Sequence, residues 1–287
     1  MDSMLDDSNE QRSVHTSASS DWIKPLYTEH QKRTRRRTTA VFVVRTVLLI
    51  LFIGLWEAAG RNKWIDPLLF SFPSRIMNLL GDMVRDGTIW SHVGMTVGET
   101  IGGFILGTAL GTLIAALLWL FPFVSRVLDP YLVVLNSMPK VALGPIFIVV
   151  LGPGFLSIVV TTLSVTVIIT TLNIYNQFRE VEEGYIKVVR LFGASRLRTF
   201  WYVIVPASFP VIISTLKVNV GLSWVGVIVG EFLVAKLGLG YLIIYGFQVF
   251  NFTLVLASLF VIAIVATIMY QLVSILEHRL TGRRRER

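Results

Sequence analysis

Apolar residues along this chain fall in runs about one bilayer wide, separated by short polar stretches, and the runs read as helices. A hydrocarbon core about 30 Å thick takes ~20 mostly apolar residues per helical crossing. The first run is Val41–Ala59, with Arg45 close enough to its start to snorkel. No charge occurs from Thr100 to Ser125, which predicts a second crossing over about Val97–Leu120. Val141 to Phe178 is again uncharged, but Gly152-Pro153-Gly154 interrupts it as a tight turn. Spans are expected on either side, at about Tyr131–Leu151 and Phe155–Tyr175, and a fifth at about Ala207–Gly230. The run Leu237–Leu276 is too long for one crossing and too short for two with a turn. It divides into a Gly- and aromatic-rich segment to about Phe252, re-entrant or interfacial, and a sixth span at Thr253–Leu276. The expected class is an all-α polytopic membrane protein with six transmembrane helices.

The polar stretches complete the organisation. Residues 1–40 are Ser-, Asp- and Arg-rich and are expected to form a disordered basic tail ahead of the first helix at 41–60. A secretory signal peptide would carry its apolar stretch nearer Met1, and none is expected. Within 61–96, Ile76, Leu79, Leu80, Met83 and Val84 recur at helical spacing after Pro73-Ser74, which predicts an amphipathic helix lying along the outer interface. Residues 97–276 form a core of five helices that includes a polar loop at 176–206, and 277–287 is a basic tail.

Composition agrees with a lipid-facing surface. Of 287 residues, 54% are hydrophobic and 15% charged, with a mean hydropathy of +0.68, which leaves too little polar surface to face water. The absence of Cys removes thiolate chemistry and Cys-ligated metals, and four scattered His lack metal spacing. The net charge of +8 is a topology signal. Six spans put both termini on one side, and with that side cytoplasmic, nineteen Lys and Arg lie inside against five outside. A bilayer is the expected partner and nucleic acid is not. Trp56, Trp64, Trp90, Trp119 and Trp201 stand near span ends, as in an aromatic belt.

Two patterns carry candidate function. Gly94, Gly98 and Gly102, then Gly103, Gly107 and Gly111, put small residues on helix faces, either for close packing or for sliding during a transport cycle. The loop from Glu180, EVEEGYIKVVRLFGASRLRTFWYVIVPASFP, implies two short helices with a bend at Gly193. On its residues alone it reads first as a basic anchor at the inner face.

That loop resembles the EAA loop of permease subunits of ATP-binding-cassette (ABC) importers. Gly193, Val203, Val205 and Pro206 fall in register with its Gly and its Ile-x-Leu-Pro ending, and Gly193-Ala194-Ser195 and the Pro206/Pro210 pair are also similar. Lys187-Val188-Val189 stands where Glu-Ala-Ala would be, with Glu182 and Glu183 about a turn upstream. Phe72-Pro73-Ser74, Pro139-Lys140-Val141-Ala142-Leu143-Gly144-Pro145 and Gly230-Glu231-Phe232-Leu233 with Gly238-Leu239-Gly240-Tyr241-Leu242 resemble the branch handling nitrate, sulfonates, taurine and bicarbonate. The resemblance spans roughly residues 65–280 and implies the type I importer fold. It also implies a loop that docks as a coupling helix on an ATPase through Glu182, Glu183, Lys187, Arg190, Gly193, Ala194, Ser195, Arg196 and Pro206. Two cytoplasmic ATPase subunits, a second permease copy and an extracytoplasmic solute-binding protein are the implied partners, in a bacterial inner membrane. Small vitamins or their precursors remain open as substrates.

The chain has no GxxxxGK[ST], so ATP and Mg²⁺ are expected on partner subunits and no cofactor on this one, which is read as non-catalytic. Ionisable groups at membrane depth are candidates for the translocation path. Lys140, placed two turns from the cytoplasmic end of the third span, either snorkels or bonds carbonyls freed by Pro139 and Pro145. Lys217, about 16 Å along its helix from Pro206, either faces the subunit interface or cavity, where its charge suits an anionic substrate or an acidic partner, or bonds carbonyls of nearby helices. Glu231 either bonds N–H groups of the Gly-rich segment or faces the binding protein. Asn136 and Ser137, and Asn219, Ser223 and Trp224, are further path candidates. The rival reading is a secondary transporter or channel that needs no ATPase, which would show internal repeats and several paired intramembrane charges. A membrane enzyme, the second rival, would need a catalytic cluster near a span.

Overall fold

A computed structural model describes residues 23–285. They form helices α1 (Ile23–Arg61), α2 (Pro67–Phe70), α3 (Pro73–Arg85), α4 (Thr88–Leu120) and α5 (Pro122–Ser137). A 3₁₀ turn at Lys140–Leu143 leads to α6 (Gly144–Leu151), then α7 (Phe155–Glu180), α8 (Glu183–Leu191) and α9 (Arg196–Thr199). A π turn at Phe200–Ile204 joins α9 to α10 (Val205–Val234), and α11 (Leu239–Gln248) and α12 (Phe252–Arg285) end the chain. Among the described residues five helices are long and apolar enough to cross a membrane, and six if α5 with Lys140–Leu151, bent by 92°, is counted as one broken crossing.

The chain divides into two units, residues 1–65 and 66–287. The first contains α1, which starts at Ile23 and not at the expected Val41; the expected disordered tail is thus helical over 23–40, and its first 22 residues lie outside the described ones. Lys and Arg are good helix formers, and an apolar helix already nucleated extends at one hydrogen bond per residue.

In the second unit three other expectations shift. The second span begins at Thr88, because Gly87 at φ +75° ends α3 and no breaker follows. The third span is not a straight Tyr131–Leu151 helix. It starts at Pro122, well placed at a helix N-terminus, and breaks where Pro139 cannot supply the next helical N–H. The fifth crossing runs from Arg196, since the π turn carries the helix past Pro206. The segment before the sixth span is the short helix α11.

The core is a parallel pairing of α4 and α7. Gly103, Gly107 and Gly111 face Thr162, Thr166 and Thr170, and a β-carbon at any of them would overlap the opposing threonine. The threonine hydroxyls turn back onto carbonyls of their own helix, as at Thr170 onto Thr166 (2.6 Å), so these polar groups are satisfied at the glycine groove. Gly226 of α10 meets Thr162 from the other side, with 2.7 Å from its would-be β-carbon to the Thr162 Cα. Small residues here let three backbones approach where lipid offers no hydrophobic drive to hold helices together. Gly94 and Gly98 face open space and take no part.

The two ends of this unit differ. At one, Ile89, Leu239, Leu242 and Leu254 cluster with Leu79 and Met83 of α3, whose Ile76 and Leu80 are buried as the amphipathic pattern requires. At the other, Trp119, Phe178, Phe200 and Ile204 pack together below the loop that joins α7 to α10.

Candidate functional site

The loop after α7 is an elbow built by local rules. At the C-terminus of α8, Gly193 takes φ +79°; its N–H bonds Arg190 O (2.9 Å) and the Ala194 N–H bonds Val189 O (3.2 Å), a Schellman stop. Ser195 then caps α9, its hydroxyl accepting from the Arg198 N–H at 3.4 Å. The bend therefore lies at Gly193 as expected, with a helix on each side.

No residue of α8 is buried. Glu183 and Lys187 pair at 2.8 Å across one turn, and this lysine holds the Glu183 carboxyl below its ordinary range. Glu182, Lys187, Arg190 and Ser195 are exposed and Ala194 is half-buried. The tip is apolar: Leu191 is 87% and Phe192 88% exposed, with Tyr185 and Val188 one to two turns back on α8. These four were absent from the expected docking set. The spacing of 185, 188 and 192 would have marked three of them as one helix face.

Behind the tip the elbow is locked to the bundle. Arg196 donates to the carbonyl of Trp119, in the last turn of α4, where carbonyls lack intrahelical partners. Phe200 packs edge-on against Phe178 of α7 (5.3 Å) and tilted against Trp119 (5.4 Å). The π turn lets Val205 N–H reach Phe200 O, five residues back, just before Pro206, whose ring would crowd a regular α turn. A displacement of the elbow thus acts on α4, α7 and α10 together.

The expected path residues separate into groups. Asn136 and Ser137 are exposed and, with Asn173 and Asn176 of α7, line a cleft of about 290 Å³. Lys140 stands beside it, donating to Asn136 O at 2.8 Å. It lies past the sixteen residues of α5, about 24 Å along the helix and not two turns from its start, because the span begins nine residues earlier than expected. Asn173 and Asn176 were missed, although their spacing of three in an uncharged run put two amides on one face.

Asn219, Ser223 and Trp224 are buried inside the unit. Asn219 accepts from the Thr170 hydroxyl (3.0 Å) and donates to Thr108 (2.8 Å), joining α4, α7 and α10. Lys217 is ion-paired with Glu277 of α12. Glu231, 1% exposed, caps α11: its carboxylate accepts from Thr96 Oγ1 (2.6 Å) and Gly240 N–H (2.5 Å). The Leu239 N–H donates to Thr96 Oγ1 (2.8 Å), and His92 Nδ1 lies 3.1 Å from Gly238 N. The free donors of a helix start are thereby met by side chains of α4 and α10. A β-carbon on Gly240 would lie 2.7 Å from the Glu231 carboxylate, so that position must be small. The Glu99 carboxyl, also fully buried, faces that of Glu231 within hydrogen-bond reach.

Residues 88–282 match the family of binding-protein-dependent transport system inner membrane components. The chain belongs to this family. It is a permease subunit of an ABC importer, a multi-pass protein of an inner-membrane transporter family whose members work with ATPase and solute-binding partners; in it, ATP hydrolysis belongs to the partner subunits. The permease is 24% identical to the taurine transport system permease protein TauC of Escherichia coli (strain K12) over 238 residues, covering 81% of this chain and 86% of that one. It is 27% identical to the riboflavin transport system permease protein RibX of Chloroflexus aurantiacus, covering 82% and 87%. Among solved structures, a bacterial ABC transporter that imports the acidic polysaccharide alginate matches at TM-score 0.63 and 12% identity, over 86% of this chain and 97% of that one. The methionine transporter MetNI in an inward-facing form matches at TM-score 0.56 and 18% identity, over 68% and 96%. The fold is that of type I importer permeases.

Proposed function

We propose that two copies of this permease line one path for a small anion of the oxyanion or sulfonate class, such as nitrate, taurine, an alkanesulfonate or bicarbonate. Two cytoplasmic ATPase subunits dock on the elbow at 182–196, and a solute-binding protein delivers the substrate from outside. Both termini are cytoplasmic, and ATP and Mg²⁺ bind the partner subunits. The observation that carries the reading is the elbow itself, whose exposed Leu191 and Phe192 sit on a Schellman turn tied through Arg196 and Phe200 to the ends of three crossing helices. An exposed apolar tip on a rigid base suits a socket on another protein and a force transmitted inward.

For the substrate, the support is the cleft of Asn136, Ser137, Asn173 and Asn176 beside Lys140, which offers amide donors and one cation. Relatives named for taurine, aliphatic sulfonates and nitrate transport agree with an anion, whereas relatives named for riboflavin and formylaminopyrimidine keep other classes in the screen. The reading is tested by co-purification with the ATPase encoded beside it. A stable complex, lost when residues 184–200 are scrambled, is expected. Solute movement in liposomes holding this chain alone would overturn the reading in favour of an ATPase-independent transporter. The substrate class is tested with the adjacent solute receptor, which should bind oxyanions or sulfonates and not neutral vitamins.

A further inference from the structure

At the loop end of the second unit, beside the elbow, a cavity of about 360 Å³ opens between the end of α4, the start of α5, the end of α7 and α9. Its rim carries three guanidinium groups, Arg126, Arg179 and Arg196, against one carboxylate, Asp129. Two of these cations are held over aromatic rings, Arg179 over Tyr175 at 5.7 Å and Arg196 over Trp119 at 4.9 Å. Tyr175 is itself hydrogen-bonded to Ser125, and both are buried. Among the described residues neither Arg126 nor Arg179 forms an ion pair. Three like charges gathered around one concavity repel one another unless an anion joins them, and planar guanidinium forks suit the oxygens of a phosphate.

The surroundings indicate which phosphate. On α5 and just before it, Phe121, Phe123, Val127 and Leu128 are exposed, so apolar surface that suits acyl chains adjoins the cationic rim. We propose that this cavity binds a phosphate-bearing anion, the headgroup of an anionic phospholipid, and that the bound lipid braces the elbow through Arg196. The proposal rests on the orientation given above only for naming the inner leaflet as the source.

The test uses the full-length permease in nanodiscs containing phosphatidylglycerol and phosphatidylcholine, with retained lipid identified by native mass spectrometry. The wild type should keep phosphatidylglycerol in preference to phosphatidylcholine. Arg126→Gln with Arg179→Gln should lower that retention about tenfold or more, since each basic side chain near a membrane surface contributes to holding an anionic lipid. Asp129→Asn should raise it, an opposite change that a folding defect does not produce. In discs of phosphatidylcholine alone, inorganic phosphate is titrated against Trp fluorescence. Saturation there, abolished in the double variant, supports the anion site with free phosphate as its source. Equal retention of both lipids by all three proteins, with no response to phosphate, overturns the proposal. So does expulsion of the lipid when the ATPase binds, which would assign the cations to that partner. Neither lipid readout requires ATP hydrolysis, so failure here leaves the proposed transport function standing.

Discussion

Arg196 grips Trp119 twice: its guanidinium donates to the Trp119 carbonyl at 2.6 Å and lies 4.9 Å above the indole ring. A residue of the elbow is thereby fixed to the last turn of the second crossing, 77 positions earlier in the chain. A hydrogen bond from a charged donor contributes about 1.5–3 kcal/mol. Arg196→Ala should leave the ATPase bound but lower solute moved per ATP hydrolysed. Uptake and hydrolysis measured in the same proteoliposomes check this, and an unchanged ratio would show that the contact transmits no force.

Gly193 at φ +79° has open space around it, so any substitution acts through the backbone alone. Gly193→Ala should cost about 1–2 kcal/mol, and Gly193→Asn less, because Asn tolerates the left-handed region. ATPase co-purification should fall in the order Gly, Asn, Ala. Equal yields from all three would mean that the elbow has no fixed shape.

The groove of α4 makes a sharper contrast. Gly107→Ala drives a methyl group into Thr166, whereas Gly94→Ala meets nothing within 4 Å. The first should lose about 1–3 kcal/mol by overpacking. The second should be neutral or gain up to about 1 kcal/mol from helix propensity. Thermal unfolding in detergent distinguishes them, and similar melting points would refute the parallel packing of α4 on α7.

Glu231→Ala removes the acceptor of the buried Gly240 N–H, at about 1–3 kcal/mol for that donor left unmet, while the Thr96 hydroxyl keeps the His92 carbonyl. It should destabilise the protein and release α11. Glu99→Gln should change stability little, since an amide of the same shape keeps a hydrogen bond to the Glu231 carboxylate. Proteolysis near residue 238 with thermal unfolding reads both. A Glu99→Gln protein as unstable as Glu231→Ala would show that the two acids act as one indispensable pair.

Lys217 and Glu277 form an ion pair between α10 and α12, one-quarter and one-seventh exposed at their side chains. Breaking a partly buried pair from one side leaves the other charge unmatched, whereas replacing both members does not. Lys217→Met alone should therefore lower stability, and Lys217→Met with Glu277→Leu should recover most of it with uptake intact. If the double variant keeps its stability but loses substrate affinity, Lys217 belongs to the translocation path after all.

The apolar runs and the charge asymmetry make the crossings legible because lipid demands a minimum length of uncharged helix, and that demand is local. The elbow was legible for the same reason: Gly193, Ser195 and Pro206 act on their own neighbours. Helix ends were read less well. Thr88, Pro122 and Arg196 begin helices that extend past the apolar stretch, since a helix continues into polar sequence until something stops it. The glycine rows at 94–98 and 103–111 look alike in sequence, and only the second has a partner helix.

By itself, then, the chain's order of residues determined what membrane physics and short-range backbone rules decide, namely the crossings, their orientation signal and a bent linker. Tertiary structure alone decided the partners of its buried polar groups. Thr96 and Glu231, Asn219 and Thr170, Lys217 and Glu277 meet from 49 to 135 positions apart. In hydrocarbon a polar group bonds whatever the packing brings within reach, and no spacing along the chain encodes which helix that is.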